Sequence, residues 1–447
     1  MEEYINKIKA PHRIRDPLYG FVYLTDAELA IVDTPIFQRL RRVHQLSLTK
    51  YVYPSAEHSR FTHSIGVMHC ATLILSGVFS HKLSSLSWEP SEKIIKTLRF
   101  AALLHDIGHL PFSHSAEKQW LNGLKHEDLS QYIIKNYKPI SDIISESGVP
   151  PQNVASLLAK KPLAKERLLH EIISGQLDAD RADYLLRDSH CCGVRYGEYD
   201  FARFLQIFAA AEDDTHGDLH LILNETDLHV AESLLIARYH YNLQIPYHRT
   251  RSGYDFALQC FIRTMSQKNS PFNITGNEIQ HVDFDLFSDL DDYKIIEQAK
   301  KERKKNCWAD YILRSKHLTA LVDTNSMSPR GVKVFKTLVQ RLRESPHLKE
   351  NKDFFIQEED VEILKWSAPA DGTGASCSKS SLIQLFSAEG KGRPPEQVDI
   401  CERSWIFRHL AETPYHLCRI YVTQNKEHEA REMLSAINPG EEVDGHV

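Results

Sequence analysis

The chain contains no Cys-x-x-Cys pair; its eight cysteines are scattered at positions 70, 191, 192, 260, 307, 377, 401 and 418. That spacing excludes a zinc ribbon and a disulfide framework, and the thiols read as reduced. No apolar run approaches the length of a membrane span, and the opening Met1-Glu2-Glu3-Tyr4-Ile5-Asn6-Lys7 lacks the charged-then-apolar order of a signal peptide. The expectation is a cytoplasmic protein with no membrane partner. Positive charge is not in excess either: 54 Lys and Arg stand against 60 Asp and Glu, a formal net charge of -6. A globally basic nucleic-acid surface is therefore not indicated, which leaves only a local basic cleft. Internal repeats are absent.

What is present is an ordinary globular composition, 42% hydrophobic and 26% charged over 447 residues, long enough for a large core in two or three domains. Histidine is the informative residue. There are 24, many of them between His58 and His126.

The stretch Ala101-Ala102-Leu103-Leu104-His105-Asp106-Ile107-Gly108-His109-Leu110-Pro111-Phe112-Ser113-His114 organises the rest. A helix start at Pro90-Ser91-Glu92 sets Ile94, Leu98, Ala101 and His105 at helical spacing, and Ile95, Leu98, Ala102 and Asp106 trace the neighbouring stripe. The His-Asp pair thus points inward, where an imidazole and a carboxylate are costly unless paired or bound to a metal. Gly108 and Pro111 end the helix.

Before this stretch, β-forming residues around Asp16-Pro17-Leu18-Tyr19-Gly20 predict a small hairpin. Thr25-Asp26-Ala27-Glu28 is a capping box, and Thr34-Pro35 starts a second short helix carrying Arg39, Arg41 and Arg42, a face that composition alone reads as solvated. A long helix begins near His58, with Gly66, Cys70 and Ala71 allowing close approach of another helix and His63 on the packing face. A polar loop is expected over 81–89. Further helices are expected over 113–120, 127–137, 154–168, 227–242 and 253–265, with strands over 219–223 and 418–422. On the helix starting near Asp178, residues Asp180, Asp183, Tyr184, Arg187 and Asp188 share a face that either meets solvent or lines a site. The run Lys300-Lys301-Glu302-Arg303-Lys304-Lys305 reads as a solvated helix face. A mobile loop is expected at about 368–396 and a disordered acidic tail after 438.

His63, His105, Asp106 and Asp180 stand out as a set of two imidazoles and two carboxylates. Such nitrogen and oxygen donors suit a divalent Mn, Mg, Fe, Ni or Zn ion. By spacing alone, a metal site and four unrelated structural positions are equally good readings.

The order His63, His105-Asp106, Asp180 resembles the H…HD…D signature of the HD-domain metal-dependent phosphohydrolases. The motifs at Asp16 to Gly20, Asp33 to Arg41, His58 to Val67 and His105 to His114 are similar to those of the deoxynucleoside triphosphate triphosphohydrolase branch, which includes the SAM-and-HD-domain enzyme and its bacterial relatives. The resemblance runs from about residue 12 to about 265, with no SAM domain before it. It implies a mainly α fold: an HD helical core with a small β-hairpin and minor β elements in the C-terminal part. Residues 1–50 would form an N-terminal hairpin and helices for regulatory or oligomer contacts, 51–270 the phosphohydrolase core, and 271–447 a mixed α/β region.

Residue by residue, the resemblance assigns the metal to His63, His105, Asp106 and Asp180, and catalysis to His109 and the acid-histidine pair Glu117 and His126. Gln45, Leu46, Arg60, His114, Arg181, Tyr184, Asp188, Arg238, Tyr247 and His248 match substrate contacts. Asp33, Gln38 and Arg41 match a regulatory site for a guanine nucleotide activator that promotes tetramers; the alternative is that Asp33 helps cap a helix and the arginines are solvated. Glu117 stands where aspartate is frequent and Arg181 where lysine is common. Pro246 replaces the usual tyrosine against the deoxyribose, which leaves deoxy selectivity to Tyr247 or Tyr184, or opens the site to ribonucleotides. The implied activity is hydrolysis of (deoxy)nucleoside triphosphates to nucleoside and inorganic triphosphate by a homo-dimer or homo-tetramer. The alternatives are HD chemistry on other nucleotides (NTP, monophosphate or cyclic dinucleotide) and a non-catalytic nucleotide-sensing or nucleic-acid-binding oligomer.

Overall fold

The turn-rich segment near the N-terminus folds as its composition predicts. Strands β1 (His12–Asp16) and β2 (Gly20–Leu24) pair antiparallel, with His12 opposite Leu24. Asp16 closes the turn by accepting from the backbone N–H of Leu18 at 2.9 Å and Tyr19 at 3.2 Å. The computed structural model of the protein describes residues 6–80, 89–160, 163–212, 218–265, 271–276, 278–313, 316–361, 363–364, 383–387, 396–413 and 415–437.

Helix α1 (Asp26–Val32) opens with the expected capping box, Thr25 Oγ1 accepting from Glu28 N–H and Glu28 returning a carboxylate to Thr25 N–H. Glu28 is fully buried and does more than cap. It accepts two hydrogen bonds from Arg99, at 2.7 and 2.8 Å, and Arg99 gives its remaining donors to Thr72 Oγ1 and the Tyr23 carbonyl, each at 2.7 Å. Every polar atom of this buried pair is thereby engaged, the condition under which such a pair is tolerated.

Helix α2 (Arg60–Ser80) is the centre of the fold. Its segment Arg60–Phe79 is long and apolar enough to cross a membrane by length and composition, contrary to the sequence expectation, but 83% of it is buried inside the protein. Against it pack α3 (Glu92–Leu104), whose residues from Thr97 to Leu104 are all buried, then, after α4 (His114–Trp120), α5 (His126–Asn136) and α6 (Arg167–Ser174), helix α7 (Ala179–Cys192). Helix α7 starts at the side-chain cap of Asp178 and ends at Gly193, which takes the left-handed conformation at φ 70°.

The helix expected over 154–168 is instead two pieces, Pro151–Ser156 and α6, joined through a short 3-10 turn. Pro162 supplies no N–H, which argues against a continuous helix there. Helices α8 (Leu228–Gln244) and α9 (Arg249–Thr264) follow, then α10 (Asp292–Glu302), with the basic run at its end exposed as expected.

The β elements are small. β3 (Phe208–Glu212) and β4 (Leu219–Asn224) form a hairpin, extended by a parallel pairing of β4 with β9 (Gln384–Ser387) and then by β10 (Glu396–Asp399). β9 lies inside the stretch read as a mobile loop; residues 365–382 and 388–395 are outside the described residues, as are 81–88 of the polar loop and the tail from 438. β5 (Phe272–Thr275) and β6 (Glu278–Val282) form a separate hairpin. β7 (Thr319–Asn325), β8 (Phe354–Val361) and β11 (Tyr415–Val422) make an antiparallel sheet with β11 in the middle. One apolar core runs from Ile8 to Leu417; a second joins that sheet to α11 (Pro329–Glu344) and α12 (Glu427–Ser435). The fold is mainly α.

Replacing Arg99 with Met leaves a buried, unpartnered Glu28 carboxylate and is expected to cost about 3–5 kcal/mol. Urea unfolding measures this, and adding Glu28→Gln to the same chain should recover part of the loss.

Candidate active site

The site is built where α2, the end of α3 and the start of α7 converge. His63, on α2, is 1% exposed; its Nε2 lies 3.1 Å from Asp180 Oδ1 and 3.7 Å from Asp106 Oδ2. His105 caps α3, with Nδ1 fixed 2.8 Å from the Ala102 carbonyl and Nε2 facing Asp106 Oδ1 at 3.3 Å and Asp180 at 3.9 Å. All four residues proposed as metal ligands from sequence are therefore adjacent. The Asp180 side chain is 35% exposed and marks the mouth.

The donor set fits a divalent ion. His105 Nε2 is buried without a hydrogen-bond partner among the described residues, and the ligand atoms of His63, His105 and Asp106 all lie within 4.8 Å of one another. Burial opposes charge on His63, but hydrogen bonds to Asp180 and Asp183 raise its pKa to about 10. For Asp106, burial is overcome chiefly by Arg60, which keeps the carboxyl well below its usual range.

Behind His63 runs a chain of charges. Its Nδ1 meets Asp183 Oδ2 at 2.8 Å, Arg187 grips both Asp183 oxygens at 2.8 Å, and Arg187 Nη1 reaches Asp16 Oδ2 at 2.9 Å. Burial works against the Asp183 charge, but Arg187 and His63 hold its pKa at about 2. Such a carboxylate orients an imidazole so that the far nitrogen faces a metal. Gly66 makes room for it: a Cβ there would stand 1.9 Å from Asp183 Oδ1 and 2.4 Å from Arg187 Nη2.

The loop after His105-Asp106 is held from several sides. Ser130 Oγ donates to the His105 carbonyl and accepts from Gly108 N–H; a Cβ on Gly108 would stand 2.4 Å from the His126 carbonyl. Arg39 is wholly buried, contrary to the solvated face expected, because its guanidinium donates to the carbonyls of Ile107, His109 and Leu290 while covering the Phe287 ring. Asp292, from α10, accepts from Phe112 N–H at 2.7 Å. Phe112 and Ser113 take positive φ of 54° and 56°, a conformation kept by these ties and by Arg60, which donates to Ser113 Oγ and Asp106.

On that loop and α5, the His109 and His126 rings stack with centroids 3.6 Å apart. Glu117 Oε1 lies 3.0 Å from His126 Nδ1 and 3.3 Å from His109 Nδ1, and Asp106 Oδ1 lies 3.2 Å from His109 Nε2 and 4.0 Å from His126 Nε2. Their environments diverge. Burial, then the Arg60 charge, lowers His109 to about 4, while for His126 burial is outweighed by the Glu117 hydrogen bond together with the charges of Glu127, Glu117 and Asp106, and the pKa is raised.

The remaining residues named from sequence fall in several places. Arg181, Tyr184 and Arg238 lie beside Asp180; Arg181 is tied to Asp178 and the Gly175 carbonyl, yet its Nε finds no partner among the described residues, and burial and then the Arg181 charge lower the Arg238 guanidinium. Asp188 is buried, with one oxygen on His58 Nε2 at 2.7 Å and the other on the hydroxyl of Tyr241, whose ring lies tilted against Tyr184 with centroids 5.2 Å apart. Gln45 and Leu46 run beside His58, and Tyr247 and His248 form the junction of α8 and α9, with His248 capping α9. Asp33 is exposed at the end of α1, and Gln38 accepts from Arg41, whose guanidinium covers Phe61. The His114 side chain lies outside the described residues.

The HD domain profile matches residues 60–188, the span from the start of α2 to Asp188. Residues 60–188 form an HD domain. The chain is 36% identical over 250 residues to the uncharacterized protein YwfO of Bacillus subtilis, covering 55% of this chain and 54% of that one. It is 34% identical over 221 residues to the deoxynucleoside triphosphate triphosphohydrolase SAMHD1 homolog of Dictyostelium discoideum, covering 46% and 41%. The chain thus spans about half the length of the curated relatives it matches. A crystal structure of a hypothetical protein from Aquifex aeolicus matches with a TM-score of 0.72 at 28% identity, covering 95% of this chain and 99% of that one.

Two measurements follow from the HD site. Gly66→Ala should displace Asp183 and Arg187, lowering stability by about 1–3 kcal/mol and reducing bound metal; thermal melts and elemental analysis read both. Because His63 sits near 10 without metal, binding at neutral pH should release a proton and tighten as pH rises toward that value. Calorimetry in buffers of different ionisation enthalpy counts the proton.

Proposed function

We propose that the chain is a metal-dependent phosphohydrolase acting on (deoxy)nucleoside triphosphates, releasing nucleoside and inorganic triphosphate. The observation that carries this reading is the stacked His109 and His126 pair, backed by Glu117 and placed against Asp106 of the H…HD…D cluster. The name of the Dictyostelium relative supports the substrate class.

His63, His105, Asp106 and Asp180 would hold the ion. When bound, it would lower the pKa of a water and offset charge on a phosphoryl oxygen. Arg60, Arg181 and Arg238 would offset the triphosphate charge; the Arg181 charge acts on Arg238, and a polyanion between those two would relieve their repulsion. Water attacks the α-phosphorus and the bond to the 5′-oxygen breaks. His126, its pKa raised by Glu117, supplies the proton to that leaving oxygen, while neutral His109 fixes Asp106.

Pro246 carries no aromatic ring, and its carbonyl accepts from Arg251 at 2.6 Å; Tyr184, tilted against Tyr241 and near Asp180, would take over the contact with the ribose. The finer reading includes activation by a guanine nucleotide at Asp33, Gln38 and Arg41 and assembly as a homo-oligomer, both following the resemblance.

The decisive experiment incubates the chain with each dNTP and NTP and Mn or Mg, with and without GTP, and separates the products. Inorganic triphosphate is expected; phosphate or pyrophosphate, or no turnover, would overturn the assignment. His126→Ala and Glu117→Gln should lower kcat by about 10²–10⁴-fold with metal retained, whereas Asp106→Ala should lose both. With His126 as acid, kcat falls as pH rises through its raised pKa.

A further inference from the structure

The C-terminal sheet gathers three ligand-bearing side chains that the phosphohydrolase chemistry does not use. On the central strand β11, His416 and Cys418 are two residues apart and share a face. The antiparallel register with β8 sets Asp360 opposite His416 and Glu358 opposite Cys418. Consequently the Cys418 sulfur, a His416 ring nitrogen and a Glu358 carboxylate oxygen all lie within 4.8 Å of one another.

The arrangement has the layers of a metal centre. Cys418 is 1% exposed and forms the floor, whereas Glu358 and Asp360 stand at the rim. His416 Nδ1 donates to Asp360 Oδ1 at 2.7 Å, which leaves Nε2 as the nitrogen with a free lone pair. That Nε2 lies 3.7 Å from Glu358 Oε1. A tetrahedral zinc shell with bonds of about 2.0–2.3 Å separates neighbouring donors by about 3.3–3.7 Å, and the His416–Glu358 separation lies at the upper end of that range.

We propose that Glu358, His416 and Cys418 form a second divalent-metal site, oriented by Asp360 and selective for zinc. One sulfur, one nitrogen and one oxygen donor suit a borderline-soft ion and disfavour Mg or Mn, in contrast to the HD cluster, which contains no sulfur. A bound ion would join β8 to β11 and stiffen the C-terminal sheet, with water in the fourth position.

Cobalt is the probe, because a Co–thiolate bond gives a near-ultraviolet charge-transfer band that nitrogen and oxygen ligands do not. The full chain titrated with Co²⁺ should develop that band, and His63→Ala, which breaks the HD cluster, should keep it. His416→Ala, at a partly exposed strand end, should weaken cobalt binding at least tenfold, and Cys418→Ser should abolish the band. Zinc should raise the melting temperature of the parent chain and not that of His416→Ala. Absence of a thiolate band in the parent chain, or an undiminished band in His416→Ala, would overturn the proposal. His416→Ala keeps it testable should Cys418→Ser fail to fold.

Discussion

The relay from Asp16 through Arg187 and Asp183 to His63 is the constraint on which the rest depends. Four ionisable groups are buried in a row, each stable only because the next is present. Arg187 is 1% exposed and Asp183 0%. The relay ties the N-terminal turn, α2 and α7 to a single geometry, since removing any member strands a charge in a low-dielectric interior. Its last member, His63, presents its free side to Asp106 and Asp180, so stability and the candidate metal site share one set of interactions.

The second support comes from parts of the chain distant in sequence. Arg39 and Asp292 hold the carbonyls and N–H groups of the loop that carries His109 and Ser113. Asp292 also accepts from His44 N–H and faces His44 Nδ1, which joins the base of α10 to the segment before α2. The loop holds its positive-φ residues through these ties, with Arg39 on the Ile107 and His109 carbonyls, Asp292 on Phe112 N–H and Arg60 on Ser113 Oγ. The stacked His109 and His126 rings diverge in pKa because burial and Arg60 act on the first, while Glu117 and its acidic neighbours act on the second.

Much of the core was legible in the chain itself. The turn at Asp16, the Thr25 and Glu28 capping box, the buried stripe ending at His105 and the inward placement of His63 follow from local chemistry and helical spacing, and all stand in the structure. Gly66 was readable as a close approach, but what it admits is the Asp183 and Arg187 pair. Those two were visible only as members of a polar face, since i,i+4 spacing predicts that they meet and not that they are buried. Arg39 misled for the same reason: three arginines in four residues look solvated until the backbone carbonyls and the Phe287 ring that enclose one of them come from elsewhere. Asp188 matched a motif, and its engagement by His58 and Tyr241 was beyond any local pattern.

The amino-acid sequence by itself determined the periodic elements, their caps and breaks, and the residue types able to hold a metal and move a proton. It could do so because helix spacing, capping and donor chemistry act over a few residues. Only the tertiary structure decided which charges are buried together, which histidine is pushed toward its protonated form, and that Glu358, His416 and Cys418 meet across two strands. Burial and electrostatic coupling are properties of distance through space, and distances across more than a hundred residues are set by packing.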